Sequence, residues 1–162
     1  MPAPDVKSPF NSALEVGLRA IAVLTSLHPR AIDLQTMVEL DYLMIHSGDA
    51  EGPESLHPPL PLRSGELLVR RGILEQGVLL MMSRGLIARH CEPIGFSFAA
   101  TELAQPLLDA LRSPYLRSLR ERAEWVAQKF GAMAHDDLTS VTNSFYQRWS
   151  AHFQVTEQVA YQ

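Results

Sequence analysis

Between His46 and His57 the chain gathers two imidazoles and three carboxylates in one polar stretch, of which His46, Asp49, Glu54 and His57 are the candidate ligands. Such a set could ligate a cation and activate a water for metal-assisted hydrolysis. The spacing matches no rigid ligand template, however, and Gly48, Gly52, Pro53 and Ser55 account for the stretch as an ordered turn. His46 then reads as the end of a helix, interacting favourably with its dipole, and Asp49 and Ser55 as turn formers. The chain shows no glycine-rich phosphate loop, no Gly-x-Ser-x-Gly and no His-Glu-x-x-His. The single cysteine, Cys91, falls in an expected turn with no acid–base partner beside it, and reads as an idle or packed thiol. No catalytic residue, metal or cofactor is assigned, and no enzyme activity is expected.

Two other chemistries compete for the same region. Arg63, Arg70 and Arg71 stand at the exit of the polar stretch, and Arg84, Arg89 and His90 follow further on, as a basic DNA-binding surface would present them to phosphates. Against this, a DNA-reading helix-turn-helix joins its helices by about 3–4 residues, whereas 17 separate His46 from Ser64. Glu66 and Glu75 also dilute the positive face. The alternative is protein docking. A long proline-stiffened loop presents a preformed surface at low ordering cost, with His46, Asp49, Glu54, Leu56, His57, Arg63, Arg70 and Arg71 as its contact residues. Leu56, Leu60 and Leu62 would be its apolar anchors, or else would fold back onto their own core.

The elements that must carry these groups read mainly as helix. Ser12-Ala-Leu-Glu15 has capping-box spacing and starts a helix with Leu14, Leu18, Ile21 and Leu24 at helical intervals, ended by Pro29. Asp33 caps a second, Leu34 to about His46. A third is expected from Ser64 to Arg84, with Leu67, Leu74, Val78 and Met81 on one face and Gly85 closing it in a left-handed conformation. Gly72 and Gly77 inside it each cost about 1 kcal/mol relative to alanine and point to close packing of another backbone or to a kink, the former preferred. Residues 86–90 and 96–98 read as two strands joined by a turn containing Pro93 and Gly95. Thr101 caps a helix to Arg112, and Ser113-Pro114 opens one that Gly131 ends. A last helix runs from Asp136 or Asp137 to about Ala151, burying Leu138, Val141, Phe145 and Trp149. Arg112, Arg117, Arg120 and Arg122, interleaved with Glu121 and Glu124, read as a solvated helix face with local ion pairs.

This order predicts a mainly α fold: a winged-helix-like domain, helices plus a short β-hairpin wing, with additional C-terminal helices. The division expected is a flexible N-terminus over 1–11, the winged-helix-like domain over 12–130 with an inserted loop over 47–63, a C-terminal helix over 131–152, and a tail over 153–162. A hydrophobic content of 46% in 162 residues is enough for one core. The longest aliphatic run, Val78 to Met82, falls far short of a membrane span, and no secretory signal is visible, so a soluble, cytoplasmic protein without membrane contact is expected. The net charge of −4 conceals a segment from Arg63 to Lys129 of net +3 and a remainder of net −7, and 12 of the 14 basic residues are arginine. An acidic chain is a poor nonspecific DNA binder, but a local arginine face suits carboxylate or phosphate.

The strings Leu40-Asp-Tyr-Leu-Met-Ile-His46-Ser-Gly-Asp49, Gly52-Pro-Glu-Ser-Leu-His57-Pro58 and Arg63-Ser-Gly-Glu-Leu-Leu-Val-Arg70-Arg71-Gly-Ile-Leu-Glu-Gln-Gly77 resemble middle component 2 of bacterial three-component ABC-ATPase conflict systems. The resemblance covers roughly Leu14 to Phe130 and continues through Arg84-Gly-Leu, Thr101-Glu-Leu and Ser113-Pro-Tyr-Leu-Arg-Ser-Leu-Arg-Glu-Arg-Ala-Glu-Trp125. It implies a non-enzymatic adaptor that joins an SMC- or Rad50-like ABC ATPase to a nuclease or other effector in defence against phages or plasmids. The small subunit of Lamassu-type systems is related, and DNA would be met through the complex. No family residue carries a catalytic role onto this chain.

Overall fold

A computed structural model describes residues 12–58 and 66–160, with side chains left aside at 66–68 and 149–160. The described residues form six α-helices and one antiparallel two-stranded sheet: α1 Ala13–Leu27, α2 Leu34–Ile45, a 3-10 turn Ser47–Ala50, α3 Glu66–Ser83, β1 Ile87–Glu92, β2 Gly95–Ala100, α4 Ala104–Ala110, α5 Pro114–Phe130 and α6 His135–Ala160. The mainly helical expectation holds. No described helix is long and apolar enough to cross a membrane.

The helix starts follow local capping chemistry. Ser12, Asp33 and Ser113 each accept a hydrogen bond from the amide three residues on, at 3.2, 2.7 and 3.2 Å. The capping box at Ser12 is only half made, because Glu15 spends its carboxylate on Tyr115 rather than on the Ser12 amide. Thr101 accepts from the Leu103 amide at 3.3 Å but does not immediately precede the helix, where it had been expected. Its hydroxyl donates to the Gly85 carbonyl at 2.6 Å, and α4 begins only at Ala104. Gly85 has φ 71°, the left-handed closure its type permits.

The core lies between α1, α2, α3 and α5, with Ile21, Leu24, Met37, Leu40, Met44, Leu74, Val78, Met81, Leu119 and Val126 all buried. Leu14, expected on the inner face of α1, instead points outward. Helices α1 and α3 cross at two glycines. A methyl group on Gly77 would sit 2.7 Å from the Gly17 amide nitrogen, and one on Gly17 would sit 2.9 Å from the Gly77 carbonyl oxygen. The close packing expected of Gly77 is therefore present, whereas a methyl on Gly72 would meet nothing within 4 Å.

The hairpin is longer and tighter than the sequence suggested. Pairing runs from Ile87–Ala100 to Glu92–Gly95, which places Cys91 in β1 opposite Phe96, exposed, rather than in the turn. Ile32, between α1 and α2, bridges Phe98 on the other edge of β2, through amide–carbonyl bonds of 2.9 and 2.8 Å. α6 continues past the expected end at Ala151 to Ala160.

Candidate functional site

Charged side chains in the middle of apolar helices are costly unless paired, and this chain pairs several of them at one place. Arg19 lies buried on α1 and Asp41 buried on α2. Arg19 Nε reaches Asp41 Oδ1 at 2.7 Å and Nη2 reaches Oδ2 at 3.0 Å, a two-pronged pair. Burial alone would lower the Arg19 pKa, but the Asp41 charge and its hydrogen bonds outweigh it and raise it, so the guanidinium stays charged. Glu15 lies one turn before Arg19, 3.8 Å away.

From Glu15 the network crosses to the polar loop. The Tyr115 hydroxyl on α5 donates to Glu15 Oε1 at 2.9 Å, and His57 Nε2 lies 3.0 Å from the same hydroxyl. With the phenol proton committed to Glu15, His57 serves as the donor to Tyr115, in its Nε2–H form. Burial lowers the His57 pKa to about 4, with the Arg19 charge adding to the effect, and burial together with the bond to Glu15 raises that of Tyr115. Burial also raises that of Glu15.

On the other side of Asp41 stands Arg70 of α3, 3.8 Å from Oδ2. Its guanidinium lies 3.4 Å from His46 Nε2 and 5.4 Å from the centre of the Tyr42 ring. His46 ends α2 as expected, but burial, reinforced by Arg70, lowers its pKa to about 3. It is therefore neutral, and the favourable charge–dipole interaction expected of it is not made. Tyr42 packs on Tyr146 of α6 at 4.6 Å between ring centres, and burial raises its pKa to about 12.

The loop between α2 and α3 is held down as far as Pro58. The amides of Leu56 and His57 both donate to the Ile45 carbonyl, and Ser47 donates to the Pro53 carbonyl. From α5, Arg122 donates to the Glu54 carbonyl at 2.9 Å and Lys129 to the Ala50 carbonyl at 2.8 Å. Gly52 sits under the Trp125 indole so closely that any side chain there would collide with the ring. Glu51, just before it, has φ 58°, the left-handed region unusual for a residue with a Cβ. In the arginine-rich stretch a local ion pair forms as expected, Arg122 with Glu121 at 3.4 Å, but Arg122 also anchors the loop and Arg120 pairs outside its own helix with Asp109 at 2.8 Å.

The residues picked from sequence consequently divide. His46 and His57 are buried and Arg70 is turned inward, so these three join the interior network rather than the surface. Leu56 packs against the core, Asp49 is half-buried and Glu54 is exposed. Arg71, Arg84, Arg89 and His90 are exposed; Arg71 donates to Gln35 at 3.0 Å and Arg89 lies over the Phe96 ring at 4.5 Å. Arg63, with Leu60 and Leu62, lies outside the described residues. Among the described residues no three His, Cys, Asp or Glu side chains converge as a metal site would require. Sequence reasoning missed Glu15, Arg19, Asp41 and Tyr115. The available signal was a charge inside an otherwise apolar run, as in Leu18-Arg-Ala-Ile21 and Leu40-Asp-Tyr-Leu43.

Chemically, this constellation is a closed tie. Its histidines are neutral and buried, its carboxylates are engaged, and the described members are held by one another across α1, α2, α3, α5 and the loop. A groove of about 450 Å³ opens elsewhere, between α3 and the hairpin, lined by Leu79, Met82, Ile94 and Phe96 with Arg71, Glu75 and Arg89 at its sides. The family profile described as ABC-three component (ABC-3C) system Middle Component 2 matches residues 9–152. No curated protein and no solved structure matches the chain.

Proposed function

The chain belongs to the Middle Component 2 family of ABC-three component systems, and from that premise we propose that it acts as a non-catalytic adaptor. In this reading it joins an SMC- or Rad50-like ABC ATPase to a nuclease or other effector, in the cytoplasm, as part of a defence against phages or plasmids. Family membership is the observation that carries the proposal. What supports the mechanical part is the tie between Arg19, Asp41, Arg70, His57 and Tyr115, which gives the loop a fixed outer surface. Its exposed Glu54 and half-buried Asp49, together with Arg71, are the proposed contacts. A winged-helix reading is supported by the order α1, α2, α3, hairpin and by the Ile32 bridge to β2. Co-expression with the neighbouring ATPase gene should yield a complex that survives gel filtration, and Glu54→Lys should weaken it without unfolding the chain. Failure to co-purify with any neighbouring gene product would overturn the proposal.

A second reading, DNA contact through the hairpin end, is favoured by the exposed Arg84, Arg89 and His90. The outward side of α3 counts against it, since Val69, Gly72, Glu75, Gln76 and Leu79 would face the phosphates. This reading requires the purified chain to bind duplex DNA at low salt, with affinity falling steeply as salt rises. No binding at low salt would exclude it.

A further inference from the structure

Along the outward side of α3 runs a narrow uncharged strip flanked by Arg71 and Glu75. Val69 is 61% and Leu79 52% exposed, with Gly72 and Gln76, both exposed, between them at helical spacing. The four project away from the inner side made by Leu74, Val78 and Met81. Gly77 is explained by the crossing with Gly17, but among the described residues nothing approaches Gly72 within 4 Å of where a methyl would sit. The roughly 1 kcal/mol of helix propensity given up there is not returned by packing among the described residues, and close approach of a second helix would return it.

The spacing along this side, though not its residue types, is symmetric about position 74. Val69 and Leu79 lie equally far from Leu74, and so do Gly72 and Gln76. If a second α3 is laid antiparallel against this outer side, about a two-fold axis at the level of position 74, Val69 of each copy faces Leu79 of the other, and Gly72 faces Gln76. The charges sit one residue off that centre, with their midpoint at position 73. Arg71 and Glu75 share one flank of the helix, and among the described residues neither has an oppositely charged partner within 4.0 Å. The same axis brings Arg71 of each copy to within two residues, about 3 Å along the helix, of Glu75 of the other. Such a contact is isologous and closes on itself.

We propose that this chain forms a two-fold dimer through α3, with Gly72 at the close approach and two Arg71–Glu75 pairs between copies. The groove lined by Leu79, Met82, Ile94 and Phe96 opens beside Leu79 and continues the apolar surface onto which Val69 of the second copy is brought. The inference stands on the outer side of α3 alone and does not depend on the adaptor reading.

The test is sedimentation equilibrium of the full chain, without other components. The wild type should be a dimer in the micromolar range. Arg71→Glu alone and Glu75→Arg alone should each weaken association by about tenfold or more, because each places like charges across the interface. A mixture of the two variants should form a heterodimer, since every cross-pair is then opposite in sign. Gly72→Gln should abolish the dimer while leaving helical circular dichroism intact. A monomer at high micromolar concentration would overturn the proposal, as would a dimer unchanged by all three substitutions or single variants that fail to pair when mixed.

Discussion

Arg19 and Asp41 meet as a buried two-pronged pair, Nε on Oδ1 at 2.7 Å and Nη2 on Oδ2 at 3.0 Å, and thereby fix how α1 lies on α2. Removing one member leaves the other charged in the interior. Arg19→Met should cost about 3 kcal/mol of stability, whereas Arg19→Met with Asp41→Leu should recover much of the loss. Urea denaturation of the two variants measures both. Equal destabilisation by the single and double changes would show that the pair is not the origin of the effect.

Gly17, Gly72 and Gly77 separate a packing role from a backbone role. Gly77→Ala and Gly17→Ala force a methyl against the facing backbone and should each cost about 2–3 kcal/mol. Gly72→Ala, with open space around it, should stabilise the isolated subunit by about 1 kcal/mol. Thermal melts at low protein concentration give the sign of each.

His46 and His57 make stability depend on pH in one direction. Their folded pKa values, about 3 and about 4, lie below the ordinary 6.5, so the unfolded chain binds more protons in this range. Their neutral, buried state is fully favourable above pH 6.5 and is lost as pH falls toward 4 and then 3. Each titrating histidine should contribute a slope of roughly 1.4 kcal/mol per pH unit across that window. Glu15 works the other way, since burial raises its pKa above the ordinary 4.5, and trims the slope just above pH 4.5. His57→Gln should flatten the profile between pH 6 and 4; an unchanged profile would contradict the assignment.

The loop's two clamps should be separable. Arg122→Ala and Lys129→Ala each remove one bond to a loop carbonyl and should each cost about 1 kcal/mol. Amide exchange should rise in the loop residues 50–55 while the α1–α3 crossing stays protected. Relief of the left-handed Glu51 by Glu51→Gly should instead stabilise the chain by a few tenths of a kcal/mol to about 1 kcal/mol.

What the sequence disclosed was local. Ser12, Asp33 and Ser113 announce helix starts because their side chains bond amides three residues away, and Gly85 announces an end because its backbone angle suits few other residues. The hairpin register was less legible. Its extension to Ala100 accompanies a bridge from Ile32, which no short-range pattern encodes. The interior tie was hidden for a stronger reason: Tyr115 and Glu15 lie 100 positions apart in the chain, and Glu15 looks like an ordinary first-turn acid. The same distance conceals why His57 is not a ligand, for its partner belongs to α5.

Trp125 gives this architecture an optical handle. Its indole is pressed on Gly52 from the loop and meets Phe130 edge-on at 5.7 Å, so lifting the loop would hydrate one face of the ring. The chain has two tryptophans. With Trp149→Phe in place, the emission maximum becomes a direct gauge of whether the loop is seated, readable in solution and in real time while other components are added.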